Sequence, residues 1–133
     1  MLRTSTVFLN EFMRSYLLIL PVAFLIAYSQ LIVKLQSQQN SLTMTQGGSA
    51  NRLLSFISDP WIISAYCAAL IASFAWLFVV TKLPLTTAFP VYIGVTFLMV
   101  LAGGWLFLGE VLTVTKIIAA FLILVGVALG IRP

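Results

Sequence analysis

Three stretches of this chain carry no charged residue: Ser15 to Val33, Trp61 to Thr81 and Leu83 to Gly109, of 19, 21 and 27 residues. A helix rises about 1.5 Å per residue, so about 20 apolar residues cross a hydrocarbon layer about 30 Å thick. A fourth apolar run extends from Thr113 to Ile131, with Lys116 in its first turn, where the ammonium can reach water. An ordinary soluble domain is about 25% charged. This chain is 8% charged and 62% hydrophobic over 133 residues. Water cannot be the solvent for such a surface, so the solvent is lipid. In lipid each backbone polar group must be satisfied within its own segment, which selects helices here. The expected fold is therefore an all-α integral membrane bundle of four transmembrane helices, one domain over residues 1–133. The spans are expected at about 15–34, 61–81, 87–108 and 113–131, with a polar loop at 35–60.

The joints between these runs are written in turn and cap residues. Met1 to Arg14 is a short amphipathic lead-in, with Phe8, Leu9, Phe12 and Met13 near helical spacing. Pro21 falls inside the first run and is expected to kink the helix or mark a join. Residues 35–60 collect Gln36, Gln38, Gln39, Asn40, Gln46, Gly47, Gly48 and Asn51, which reads as a long extramembrane loop. Its second half, Leu53 to Ile57, is apolar enough to dock on the membrane interface. Asp59-Pro60-Trp61 then supplies an N-cap, a first helical residue and an interfacial anchor. Lys82-Leu83-Pro84 reads as a tight turn. Gly109-Glu110 ends the third run, and Thr113 caps the fourth. No internal repeat is evident.

Charge and composition exclude several functions. The net charge of +4 comes from seven basic and three acidic residues. That is too few and too scattered for a nucleic-acid face, and it suits anionic headgroups beside a membrane. There is no histidine, no pair of carboxylates inside a run and no phosphate-cradling glycine loop, so no catalytic residue, metal site or cofactor is expected. Cys67 is the single cysteine, and in an apolar run it reads as a small packing residue. The first run is too long for a secretory signal and lacks a small-x-small end. With four spans both ends of the chain share a side. That side carries Arg3, Arg14, Lys82 and Arg132, against Lys34, Arg52 and Lys116 on the other. So small a bias leaves insertion weakly oriented, with a lean towards cytoplasmic ends.

The polar residues that remain are few. Gln30 and Lys34 lie four apart, hence on one face of a helix, one turn from each other. A lysine at the end of a span either snorkels to water or holds an anion such as a phosphate, with Gln30 as a neutral partner one turn deeper. Glu110 either pairs with Lys116 or faces Lys34 across the bundle. Phe89 and Tyr92 lie early in the third run, where aromatics commonly anchor at the interface. Gly94, Gly103 and Gly104 mark close helix contacts. Gly126 and Gly130, with Ala119 two turns earlier, make a small-x-x-x-small pattern that serves either packing within the chain or a dimer seam. The seam is favoured, because four helices alone hardly enclose a substrate path.

The run Thr86-Thr87-Ala88-Phe89-Pro90-Val91-Tyr92-Ile93-Gly94-Val95, followed by Gly104-Trp105-Leu106-Phe107-Leu108-Gly109-Glu110, resembles the third helix and exit turn of the small multidrug resistance proteins. These belong to the drug/metabolite transporter superfamily. Ile117-Ile118-Ala119 and Leu124-Val125-Gly126-Val127 continue the likeness, which covers about the last 75 residues and Ala27 to Lys34. Drug-exporting members carry a glutamate in the first helix that exchanges protons for cations. Ile26 stands at that place here, and Tyr92 stands where those exporters have tryptophan. The pair Gln30 and Lys34, the Ala88-Phe89-Pro90 triplet and the Glu110 turn are similar to undecaprenyl-phosphate-aminoarabinose flippase subunits. The 35–60 stretch departs from both groups.

The resemblance implies a bacterial inner-membrane, multi-pass transporter that moves a polyprenyl-phosphate-linked sugar or similar anionic lipid. It would act as a homodimer or as a heterodimer with a related small subunit. Its substrate residues would be Lys34, Gln30, Phe89, Pro90, Tyr92 and Glu110, and its dimer seam Ala119, Gly126 and Gly130. Two alternatives use the same fold: an exporter of small cations or metabolites, and a non-transporting subunit that holds a partner through residues 35–60.

Overall fold

The computed structural model describes residues 13, 14, 16–43 and 49–130, the side chains of 40–43 and 52 excepted. Among these residues there is no strand. Five helices follow in order: α1 Ile19–Thr43, α2 Ser49–Ser58, α3 Pro60–Lys82, α4 Leu85–Leu108 and α5 Val114–Gly130. Most of the amphipathic lead-in, Arg132 and the glycine pair at 47 and 48 lie outside the described residues.

Three helices are long and apolar enough to cross a membrane: α1 over Ile19–Gln39, α3 and α4. The protein thus reads as a multi-pass membrane protein. The helix of the fourth run, α5, has 17 residues, about 25 Å at the usual rise.

Caps match the reading of the joints. The Asp59 carboxylate accepts from the Trp61 amide at 2.9 Å, and Pro60 opens α3, where its missing N–H costs nothing. Thr113 Oγ1 accepts from the Lys116 amide at 3.4 Å at the start of α5. Gly109 ends α4 at φ 64°, a left-handed conformation that suits glycine. Pro21 falls in the first turn of α1, just after a turn at Leu18, so it marks a join.

Two boundaries differ from expectation. The stretch read as a loop over 35–60 is largely helical. Residues 35–43 continue α1, because glutamine, leucine and serine sustain a helix and no glycine or proline interrupts them before Gly47. Residues 49–58 form α2, with Ala50, Leu53, Leu54 and Ile57 on one side and Asn51, Ser55 and Ser58 on the other. The third span begins two residues before the expected Thr87, at Leu85. Pro90 sits inside it, and Pro84 serves as the cap, accepting from the Thr87 and Ala88 amides at 3.0 Å.

Packing is organised around α1. It packs extensively on both α3 and α4, whereas α3 and α4, although consecutive, touch each other little. Small residues permit the close approach: Ala23 and Ala27 on α1, Ala65, Ala68 and Ala72 on α3, all buried. The core cluster joins Ile19 and Val22 of α1 to Ala72 and Val79 of α3, Leu83, and Ala88 of α4. On α4 the buried Gly103 lies against Leu31, so closely that an added Cβ would collide with Leu31 Cδ1. α5 packs chiefly on α4, where Val127 and Leu124 cover Gly94.

One hydrogen-bond relay fixes the level of α1. Ser64 Oγ donates its single proton to the Trp61 carbonyl at 2.7 Å. The Tyr28 hydroxyl lies 3.1 Å from Ser64 Oγ, and so must be the donor in that pair. Tyr28 is therefore level with Ser64, one turn inside the start of α3.

Candidate functional site

Wedging α1 between α3 and α4 leaves a half-open groove of about 240 Å³. Val22 and Ile26 of α1 form its floor. Ala72, Ser73 and Trp76 line it from α3, and Phe89 and Tyr92 from α4. The aromatic rings meet across the gap. Trp76 and Tyr92 have centroids 4.9 Å apart at 45°, and Trp76 meets Phe89 edge-on at 6.4 Å and 65°. Phe89 and Tyr92 are 6.3 Å apart, one turn from each other on α4. These rings bridge α3 and α4, whose backbones are held apart by α1.

Among the described residues that line the groove there is no carboxylate or ammonium. Its polar atoms are the Tyr92 hydroxyl, the Trp76 indole N–H and the Ser73 hydroxyl, whose proton goes to the Ala69 carbonyl at 3.0 Å. Such a surface takes an apolar chain or a flat ring face by dispersion and stacking. It can also take a cation over the ring faces, without a charge to neutralise it.

Phe89 and Tyr92 are thus brought together at the groove. Pro90, between them, is half-buried and is not part of the lining. Gln30 and Lys34 are exposed and do not line it either. They are joined to it by α1 itself. Val22, Ile26, Gln30 and Lys34 follow at intervals of four, which makes one ridge along the helix. Along that ridge Val22 is buried, Ile26 half-buried, and Gln30 and Lys34 exposed. Lys34 lies eight residues beyond Ile26, about 12 Å along the helix. With Tyr28 level with Ser64, Lys34 falls at the height where α3 starts.

Glu110 sits at this same end, since Leu31 packs on Gly103. It folds back over the end of α4: its amide donates to the Gly104 carbonyl at 3.1 Å, and its Oε2 would lie 3.3 Å from a Cβ at Gly104. Lys116 Nζ donates to the Val111 carbonyl at 3.3 Å. Among the described residues no ion pair joins Glu110 to Lys116 or to Lys34. Ala119, Gly126 and Gly130 are exposed on α5, and a Cβ on either glycine would meet nothing within 4 Å.

Sequence reasoning missed Trp76 and Ile26 as lining residues, and it missed the alanine series that closes α1 on α3. The signals were present. Trp76 stands six residues from Lys82, too deep for a pure interfacial anchor, and Ser73 precedes it by one turn. Ala65, Ala68 and Ala72 repeat at helical spacing.

No protein-family model, curated protein or solved structure matches this chain.

Proposed function

We propose that the chain is a four-span transporter subunit of the inner membrane, moving a polyprenyl-phosphate-linked sugar or similar anionic lipid between two copies or related partners. The observation that carries this reading is the ridge of α1. It runs from an uncharged aromatic groove, through a carboxamide, to an ammonium at the level where α3 begins. An amphiphile has the matching order of parts: an apolar chain, a polar linkage and a phosphate. Lys34 attracts the phosphate, Gln30 hydrogen-bonds it, and Trp76, Phe89 and Tyr92 receive the apolar chain or stack on the sugar. A lysine at the bilayer centre costs roughly 2.5–3.5 kcal/mol on insertion scales, a cost that falls towards the interface. At the level of Trp61 the ammonium is therefore tolerated and still close enough to meet a headgroup phosphate.

The test is flipping of a fluorescent polyprenyl-phosphate sugar in vesicles. Lys34→Met is expected to abolish transport while leaving the protein folded, and Lys34→Arg to retain part of it. Undiminished flipping by Lys34→Met would overturn the reading.

One observation favours a second reading, the export of small cations or metabolites. Three aromatic rings around a groove of this size could hold an organic cation by its ring faces. Opposing it, Ile26 provides no carboxylate for proton exchange. Tetraphenylphosphonium uptake that depends on a proton gradient would decide for this alternative.

A further inference from the structure

Another cavity lies further round α3 from the groove, on its outward side. It has a volume of about 340 Å³ and is lined by Ile57 of α2 and by Ile62, Ile63, Tyr66, Cys67 and Leu70 of α3. Among the described residues no charged side chain lines it, and the side-chain heteroatoms of that lining are the Tyr66 hydroxyl and the Cys67 sulfur. It begins within one turn of Trp61 and runs down α3 for about two turns.

The helix above it is strongly two-sided. Leu53, Leu54 and Ile57 of α2 are 63%, 63% and 66% exposed, although they form its apolar side. A helix of ten residues with such a side is not stable in water on its own. α2 contacts α3, so the chain holds it at the level where the span begins. What lies against its apolar side is continuous with what lies against α3. Below the cavity, Ile71, Phe74, Leu77 and Phe78 carry the same exposed apolar face to the other end of the span. In a membrane-spanning helix that face meets acyl chains.

We infer that α2 lies in the headgroup layer as an interfacial helix, and that the cleft beneath Ile57 seats one acyl chain of a phospholipid. The apolar side of α2 dips into the acyl boundary, as amphipathic interfacial helices do. Asn51, Ser55 and Ser58 stay among the headgroups. The bound chain runs from Ile57 past Ile63 and Tyr66 to Leu70. The occupant is lipid rather than a second copy, because the cleft is continuous with the exposed apolar strip of α3 from Leu70 to Phe78, the face that a spanning helix turns to acyl chains. This site is independent of Lys34 and of what the groove transports.

Cys67 makes the inference testable, since it is the single cysteine of the chain and is exposed. The full-length protein is labelled there with a nitroxide and placed in phosphatidylcholine–phosphatidylglycerol vesicles. A second label is placed by Leu54→Cys in a Cys67→Ser background. Both nitroxides are expected to be far more accessible to oxygen than to a water-soluble nickel chelate, and the Leu54 label to be the shallower of the two. A fluorophore at Cys67 should be quenched by phospholipids brominated along the acyl chain. Ile57→Gln should reduce that quenching several-fold, whereas Phe78→Gln, far down the span, should not. A nickel-accessible label at either position would overturn the inference. So would oxidative crosslinking of Cys67 between two copies in the vesicle, which would assign the cleft to a second protomer.

Discussion

Tyr28 and Ser64 are the residues on which the alignment of the bundle can be measured. Their hydroxyls form the one interhelical side-chain hydrogen bond described above, and it sets the level of α1 against α3. Interhelical hydrogen bonds in membranes average about 0.6 kcal/mol, with a maximum of about 1.7. Tyr28→Phe and Ser64→Ala should each destabilise the bundle modestly. Their double mutant should show a coupling of that size in reversible unfolding from detergent, and additive losses would mean that the relay is not formed. Trp76 belongs to the same scale. Trp76→Ala removes two ring contacts across the groove, each worth about 0.5–1.5 kcal/mol. Stability should fall by about 1–3 kcal/mol and flipping with it, and Trp76→Phe should restore most of both. Lys34 and Gln30 could be singled out from sequence because charge and amide are rare in an apolar run. Trp76 could not, because one aromatic among seventeen is silent until a facing helix is known.

At the scale of helices, the apolar runs and their caps were legible, because hydrocarbon thickness and cap chemistry are local rules. Asp59, Pro60, Thr113 and Gly109 each act where their side chains or backbone freedom dictate. The polar part of α1 was not legible as helix. Clusters of glutamine and asparagine suggest a loop, yet the run contains nothing that stops a helix already nucleated in the membrane. Glycine positions carried a mixed message. Gly103 is a true close contact: a Cβ there would lie 3.2 Å from Leu31 Cγ and 3.1 Å from its Cδ2. Gly103→Val is expected to cost about 1–3 kcal/mol through overpacking, read as a lower melting temperature in detergent. Gly94 has room for a methyl, with Val127 Cγ2 at 3.4 Å. Gly94→Ala should therefore change the same melt by no more than about 0.5 kcal/mol. If the two variants lose the same stability, the tight seat of Leu31 is wrong.

For the molecule as a whole, the consequence of putting α1 between α3 and α4 is an asymmetric unit. The groove opens between α3 and α4, while α5 stands chiefly against α4. On α5 the residues turned towards α4, Leu124 and Val127, with the buried Ala120, lie together on one arc. Ala119, Gly126 and Gly130 fall within about 40° of each other on an adjacent arc, at 3.6 residues per turn. Among the described residues that arc is exposed and nothing lies within 4 Å of a Cβ on either glycine, so its small residues would let another backbone approach closely. The proposed dimer uses it. Gly126→Ile should not lower the monomer's melting temperature, because a Cβ there meets nothing within 4 Å and glycine is the poorer helix former. The same substitution should convert two-step to one-step photobleaching of labelled protein in vesicles, and should abolish flipping if the substrate path lies between copies. Loss of dimers with flipping intact would place the path within a single chain, through the groove of Trp76 and Tyr92. Persistence of dimers would move the seam from α5 to another face.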